Sequence, residues 1–159
     1  PDGREYPRTI NSGVDCGDMK RALLTITEDL LRALVPPVIV FLVEAAKLEL
    51  IPEGLDWEPL VHLMGGLSIA WSAAILAARW QKRRIIPKDV PDWFLAYSFL
   101  GSAALIGVLW ELFEFLMPDR NGWWQQLSLA DTIGDLTLDL AGGLILVIFW
   151  SILRKQRLN

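Results

Sequence analysis

Apolar positions gather in four long runs, separated by short segments rich in polar residues and proline. The runs cover about residues 27–50, 57–80, 90–117 and 129–153. Each meets or approaches the roughly 20 residues that an α-helix needs to cross ~30 Å of hydrocarbon. None shows the apolar/polar alternation of a transmembrane strand. The pattern predicts an all-α integral membrane four-helix bundle over residues 26–155. Thr25 or Thr27 is placed to cap the first helix, and Pro36-Pro37 to kink it. Residues 1–25, with Pro1, Gly3, Pro7, Asn11, Ser12, Gly13 and Gly17, lack apolar periodicity and read as a polar N-terminal arm.

Composition supports the bilayer reading. The 159 residues are 53% hydrophobic, which is too apolar for an ordinary soluble domain of this length. Basic residues then set orientation. Arg79, Lys82, Arg83, Arg84 and Lys88 cluster between the second and third runs, Arg154, Lys155 and Arg157 follow the fourth, and Arg4, Arg8, Lys20 and Arg21 precede the first. The opposite side holds Lys47 and Arg120. The positive-inside rule places both termini and the middle loop in the cytoplasm of a multi-pass protein of the cell (inner) membrane. The run QKRR at 81–84 reads as a topology signal in contact with lipid headgroups. Trp57, Trp80, Trp93, Trp123, Trp124 and Trp150 fall near interfaces, whereas Trp71 and Trp110 lie deeper and read as packing residues. Cys16 is the single cysteine, so neither an intrachain disulfide nor a Cys-based metal motif can form. No phosphate-cradling loop, nucleophile elbow, zincin motif or nucleic-acid module is present, and no nucleic-acid partner is expected.

Against this background the charged residues inside the runs stand out. Glu111 and Glu114 lie in the third run, and Asp131, Asp135 and Asp139 in the fourth. A carboxylate near the centre of a membrane helix costs roughly 2.5 to 3.5 kcal/mol on insertion scales. Counting inward from the outer face, His62 lies about 8 Å deep, Glu111 and Asp135 about 9 Å, and Asp139 about 15 Å. Glu44 and Lys47 sit near the outer end of the first helix. Four helices thus carry ionisable groups in the same outer half. Asp131, Asp135 and Asp139, at i, i+4 and i+8, form one stripe, and Glu111 and Glu114 are neighbours at i and i+3. Gly65, Gly66, Gly134, Ala141, Gly142 and Gly143 offer small faces for close helix approach.

Carboxylates packed this closely cannot all be ionised without a compensating cation. Either some hold protons or a divalent metal is bound. His62, Glu111, Glu114, Asp135 and Asp139 are the candidate ligands, in a donor set that suits Zn, Mn or Fe, with an oxygen-only subset suiting Mg or Ca. Glu44, Arg120 and Asp131 are candidate rim or substrate-contacting residues. Each has a plainer reading. Asp131 also fits a helix cap, Glu44 an ion pair with Lys47, Arg120 a loop ion pair, His62 a packing histidine, and the whole set a structural hydrogen-bonded network.

The same residues resemble the VanZ-like membrane family, whose pattern is Glu-x-x-Gln on one helix, Pro-x-Arg, then Asp-x-x-x-Asn-x-x-Gly on the next. On that resemblance Glu111 and Glu114 take the Glu and Gln positions, Pro118 and Arg120 the Pro and Arg, and Asp135, Asp139 and Gly142 the last motif. Glu114 in place of Gln and Asp139 in place of Asn make this chain more acidic. It is also similar to the YjdF-like inner-membrane family, with His-x-x-x-Gly, Tyr-Glu-x-x-Glu and an Asp-x-x-x-Asp series, Trp110 standing for the Tyr. The likeness covers about residues 55–150. It implies a small multi-pass membrane protein with one shared polar site, and VanZ-like members are associated with teicoplanin resistance.

Two functions follow as expectations. One is a metal-dependent or acid–base site acting on an envelope lipid or a small polar molecule. The alternative is a non-catalytic accessory subunit of a larger membrane complex, with haem or pigment ligation by His62 as a variant. Proton or cation transport ranks third. The expected partners are the bilayer and either other membrane subunits or further copies of the chain.

Overall fold

The structure is a computed structural model that describes residues 16–50, 57–116 and 128–156. These form four α-helices and, among the described residues, no strand: α1 (Cys16–Leu50), α2 (Glu58–Lys82), α3 (Asp92–Leu116) and α4 (Leu129–Gln156). α2, α3 and α4 are each long and apolar enough to cross a membrane. α1 is not, because Asp29, Arg32, Glu44 and Lys47 crowd a short apolar middle at residues 33–43. It nevertheless runs antiparallel along α2. Asp29 pairs with Arg79 near one end, and Glu44 shares a cavity wall with Val61 near the other. Fifteen residues of helix separate Asp29 from Glu44, about 22 Å of rise. The four expected spans therefore resolve into three self-sufficient ones and a fourth helix lying alongside.

α1 also starts earlier than expected. Residues 16–25 are helical, so the irregular arm cannot extend to 25. Thr27 is inside the helix and caps nothing; its hydroxyl donates to the Leu23 carbonyl at 2.9 Å. The helix continues through Pro36 and Pro37, whose missing N–H groups deprive the carbonyls of Arg32 and Ala33 of their usual partners.

The two ends of the central hairpin are built differently. α2 opens at Trp57 with no side-chain cap, helped by Pro in its first turn. It closes with paired reverse hydrogen bonds, Ile85 N–H to Trp80 O at 2.8 Å and Arg84 N–H to Gln81 O at 3.2 Å. This Schellman arrangement puts Arg84 at φ 60°, a conformation that usually selects glycine. α4 opens at Ser128, whose hydroxyl accepts the Asp131 N–H at 3.2 Å. Ser128 is the cap, and Asp131 lies in the first turn, where its charge complements the helix dipole.

Large apolar side chains point outward and small or polar ones inward. Phe115 and Leu105 are 70% and 60% exposed, while Ala70 and Ala103 are buried among the helices. A soluble bundle shows the opposite; here lipid replaces water as the surroundings, and close packing of small residues holds the helices together. Trp71 joins the outward set at 50% exposure, contrary to the packing role expected of it. The apolar core is confined to one half, where Phe99 meets Trp150 edge-on at 5.3 Å beside Ala70, Leu95 and Ala103.

α2 and α4 approach most closely at Gly66 and Gly142. A Cβ on Gly66 would collide with the backbone carbonyl of Asp139, and one on Gly142 with that of Leu63. Gly134, by contrast, faces open space and contributes no contact.

Ion pairs fasten the basic end. Asp29, fully buried, accepts from Arg79 Nη1 at 2.8 Å and from Arg83 Nη2 at 3.1 Å, with Arg83 Nε in ion-pair contact at 2.8 Å, and so ties α1 to the end of α2. Asp92 pairs with Arg154 at 2.7 Å, joining α3 to α4, and the Arg154 guanidinium lies 5.1 Å from the Trp150 ring centre. Arg83, part of the QKRR run, is therefore a structural partner and not only a headgroup contact.

Candidate functional site

His62 stands between two carboxylates of α4. Asp135 and Asp139 are one helical turn apart and share a face. His62 Nε2 lies 3.8 Å from Asp135 Oδ1, and Nδ1 lies 3.5 Å from Asp139 Oδ2. All three side chains are buried. One turn before His62 on the same face of α2 comes Glu58, which is half-buried. Glu58, His62 and Asp135 each offer a ligand atom, and these atoms all lie within 4.8 Å of one another.

Asp139 is held by an absence of side chains around it. A Cβ on Gly65 would lie 3.5 Å from its Oδ1, and a Cβ on Gly107 of α3 only 2.5 Å from its Oδ2. The carboxylate fills a niche that two glycines leave open on two helices.

α3 closes the site with Glu111 and Glu114, both buried. Trp110 Nε1 donates to Glu114 Oε1 at 2.7 Å, one turn along the helix. Glu111 Oε1 is buried without a hydrogen-bond partner among the described residues, although Thr132 lies against the same carboxylate. Glu111 is within electrostatic range of His62, Asp135 and Asp139, and Glu114 within range of Glu111, His62 and Glu58. Three helices thus supply one polar cluster, as their depths along the sequence imply.

Beside the cluster lies a cavity of about 230 Å³ walled mainly by α1, α2 and α3, with Asp139 of α4 reaching in. His62 and Asp139 form its polar wall, and Glu44 of α1 reaches it from the far side. The rest of the lining is mostly apolar. Phe41 and Trp110, edge-on at 6.4 Å, bridge α1 and α3 at its margin.

The remaining candidates are more peripheral. Asp131 is in the first turn of α4, half-buried. Arg120 and Pro118 lie outside the described residues, as does the side chain of Lys47. Two groups were not anticipated. Glu58 precedes His62 by four residues, a spacing visible in the sequence, but it lies at the very edge of its apolar run rather than inside it. Asp29 shows no sequence signal for its partners, which lie fifty and fifty-four positions away.

No curated protein and no solved structure matches this chain. A family model described as "Predicted membrane protein (DUF2238)" matches residues 51–156, which takes in α2, α3, α4 and every buried member of the cluster. That match supports a small membrane-protein family without specifying the VanZ-like or YjdF-like groups. The chain belongs to the DUF2238 family of membrane proteins.

Proposed function

We propose that this protein binds a divalent cation through Glu58, His62 and Asp135 and acts there on the polar group of an envelope lipid or small polar molecule. The convergence of those three ligand atoms within 4.8 Å carries the reading. An imidazole with two carboxylates suits Zn, Mn or Fe and leaves coordination positions open. A bound cation also offsets the cost of holding several carboxylates within a membrane domain.

In this reading the other residues take supporting parts. With Nε2 of His62 turned toward Asp135, Nδ1 is left facing Asp139. Metal-bound histidines commonly donate their second N–H to a carboxylate, which fixes the ring and raises its basicity. Asp139 is thus a positioning residue, and Glu111 and Glu114 supply further charge balance and proton capacity. A cation with an open position supplies water activation or carbonyl polarisation. We read the motifs shared with VanZ-like and YjdF-like proteins as marking this same site, in an inner-membrane protein with its basic end in the cytoplasm.

Elemental analysis of detergent-purified protein tests the reading. Wild type should carry a stoichiometric transition metal, and His62→Ala and Asp135→Asn should each lose it while eluting as the same monodisperse particle. Metal-free wild type after metal-replete expression would rule the proposal out and leave the accessory-subunit reading, in which the cluster serves helix packing.

A further inference from the structure

The cavity beside the cluster is amphiphilic, mostly apolar with a few polar side chains. Its polar groups, His62, Ser68, Asp139 and Glu44, are outnumbered by an apolar lining that includes Val40 and Phe41 of α1, Val61 of α2 and Ile106 of α3. Gly65, Gly66, Ala103 and Gly107 leave the space that larger side chains would fill. At about 230 Å³ it exceeds the roughly 150 Å³ of an apolar cavity that stays dry and takes up benzene. Water has few partners there, and hydrocarbon fits.

Access is lateral. Among the described residues, α1 packs against α2 and makes no close backbone approach to α3 or α4. The wall between α1 and α3 therefore depends on side chains such as Phe41 and Trp110 rather than on packed helices. Ile106, which lines the cavity, is itself 42% exposed, so the cavity surface continues onto the lipid-facing surface.

We propose that this cavity binds the hydrocarbon chain of a bilayer amphiphile, which enters sideways between α1 and α3 and brings its polar head to His62 and Asp139. The inference deepens the metal-site reading by naming the substrate class, and it rests on that reading only for what happens to the head group. Burial of the chain supplies affinity without selectivity for the head, and the polar wall supplies the selectivity.

The test uses the purified full chain in vesicles of phosphatidylethanolamine and phosphatidylglycerol doped with a phosphatidylethanolamine bearing a diazirine in one acyl tail. After photolysis, label is mapped by mass spectrometry. Wild type should be labelled on the cavity stripe of α2 (Val61, Gly65 and Ile69) and also on outward Phe149 of α4, which any acyl chain reaches. Val40→Trp combined with Ile106→Trp fills the cavity from opposite walls; the α2 label should be lost and the Phe149 label kept. Label confined to Phe149 in wild type, or an α2 label indifferent to the filling pair, overturns the proposal, and the first of these needs no variant to fold. His62→Ala separates the two readings: it should lose metal yet keep the α2 label. A metal-free wild type that labels α2 would sink the metal reading alone.

Discussion

The carboxylate of Asp139 occupies the space that a side chain on Gly107 would need, with Oδ2 only 2.5 Å from where a Cβ would stand. A glycine on α3 therefore sets the position of a carboxylate on α4 that in turn faces an imidazole on α2. Gly107→Ala should displace Asp139 from His62 while leaving the helices in place, since the obstructing atoms belong to a side chain. Losing such an outer partner typically weakens a metal site about 10- to 100-fold. Competition with a chromophoric chelator would measure the drop; unchanged affinity would remove Asp139 from the positioning role.

At Gly66 and Gly142 the obstructing atoms are backbone, so the helices themselves must part. Gly66→Ala and Gly142→Ala should each destabilise by at least the roughly 1 to 3 kcal/mol typical of overpacking. Gly134→Ala, with nothing within 4 Å, should be neutral or stabilising by up to about 1 kcal/mol through helix propensity. Thermal unfolding in one detergent would rank the three, and equal losses would contradict the close crossing.

The core half makes a sharper contrast between two phenylalanines. Phe99 is 1% exposed against Trp150, and Phe115 is 70% exposed. Phe99→Ala should cost about 3 to 5 kcal/mol through the cavity it leaves. Phe115→Ala should stay within about 0.5 kcal/mol, since most of its side chain already faces outward. Comparable losses at the two sites, read from unfolding midpoints, would argue against an outward-facing apolar surface.

Asp29 is the buried partner of two arginines at the end of α2, Arg79 and Arg83. Asp29→Ala removes the buried carboxylate that both guanidiniums share and releases the basic end of α1. Hydrogen exchange should accelerate at α1 amides and hardly change in α3 and α4. The neighbouring Arg32–Glu28 pair, exposed and within one helix, serves as control: Glu28→Ala should cost about 0.3 to 0.5 kcal/mol.

Arg84 adopts the left-handed conformation that ends α2, at a cost an L-residue with a Cβ must bear. Arg84→Gly should stabilise the fold by about 1 kcal/mol. A fall in unfolding temperature would mean that the arginine side chain contributes more than its backbone costs.

Much of the architecture is legible before folding. For α2, α3 and α4, helix length follows from the length of each apolar run, because crossing hydrocarbon demands both an apolar surface and internally satisfied backbone. The α4 stripe follows from 3.6-residue periodicity, and the shared depth of His62, Glu111 and Asp135 follows from counting residues inward. What escaped was everything that depends on how the helices rotate and cross. α1 looked like the other runs, yet its charges leave it less apolar than they are, and it is tied to the end of α2 through a carboxylate whose partners are fifty and fifty-four positions on. Glu58 joins the cluster only because the α2–α4 packing brings it to Asp135. Gly134 and Gly66 look alike as letters, but one faces open space and the other a backbone carbonyl. Local spacing determines which residues share a face; only tertiary packing decides which faces meet, because the closest approach of two helices is set by a few small side chains distant in the chain.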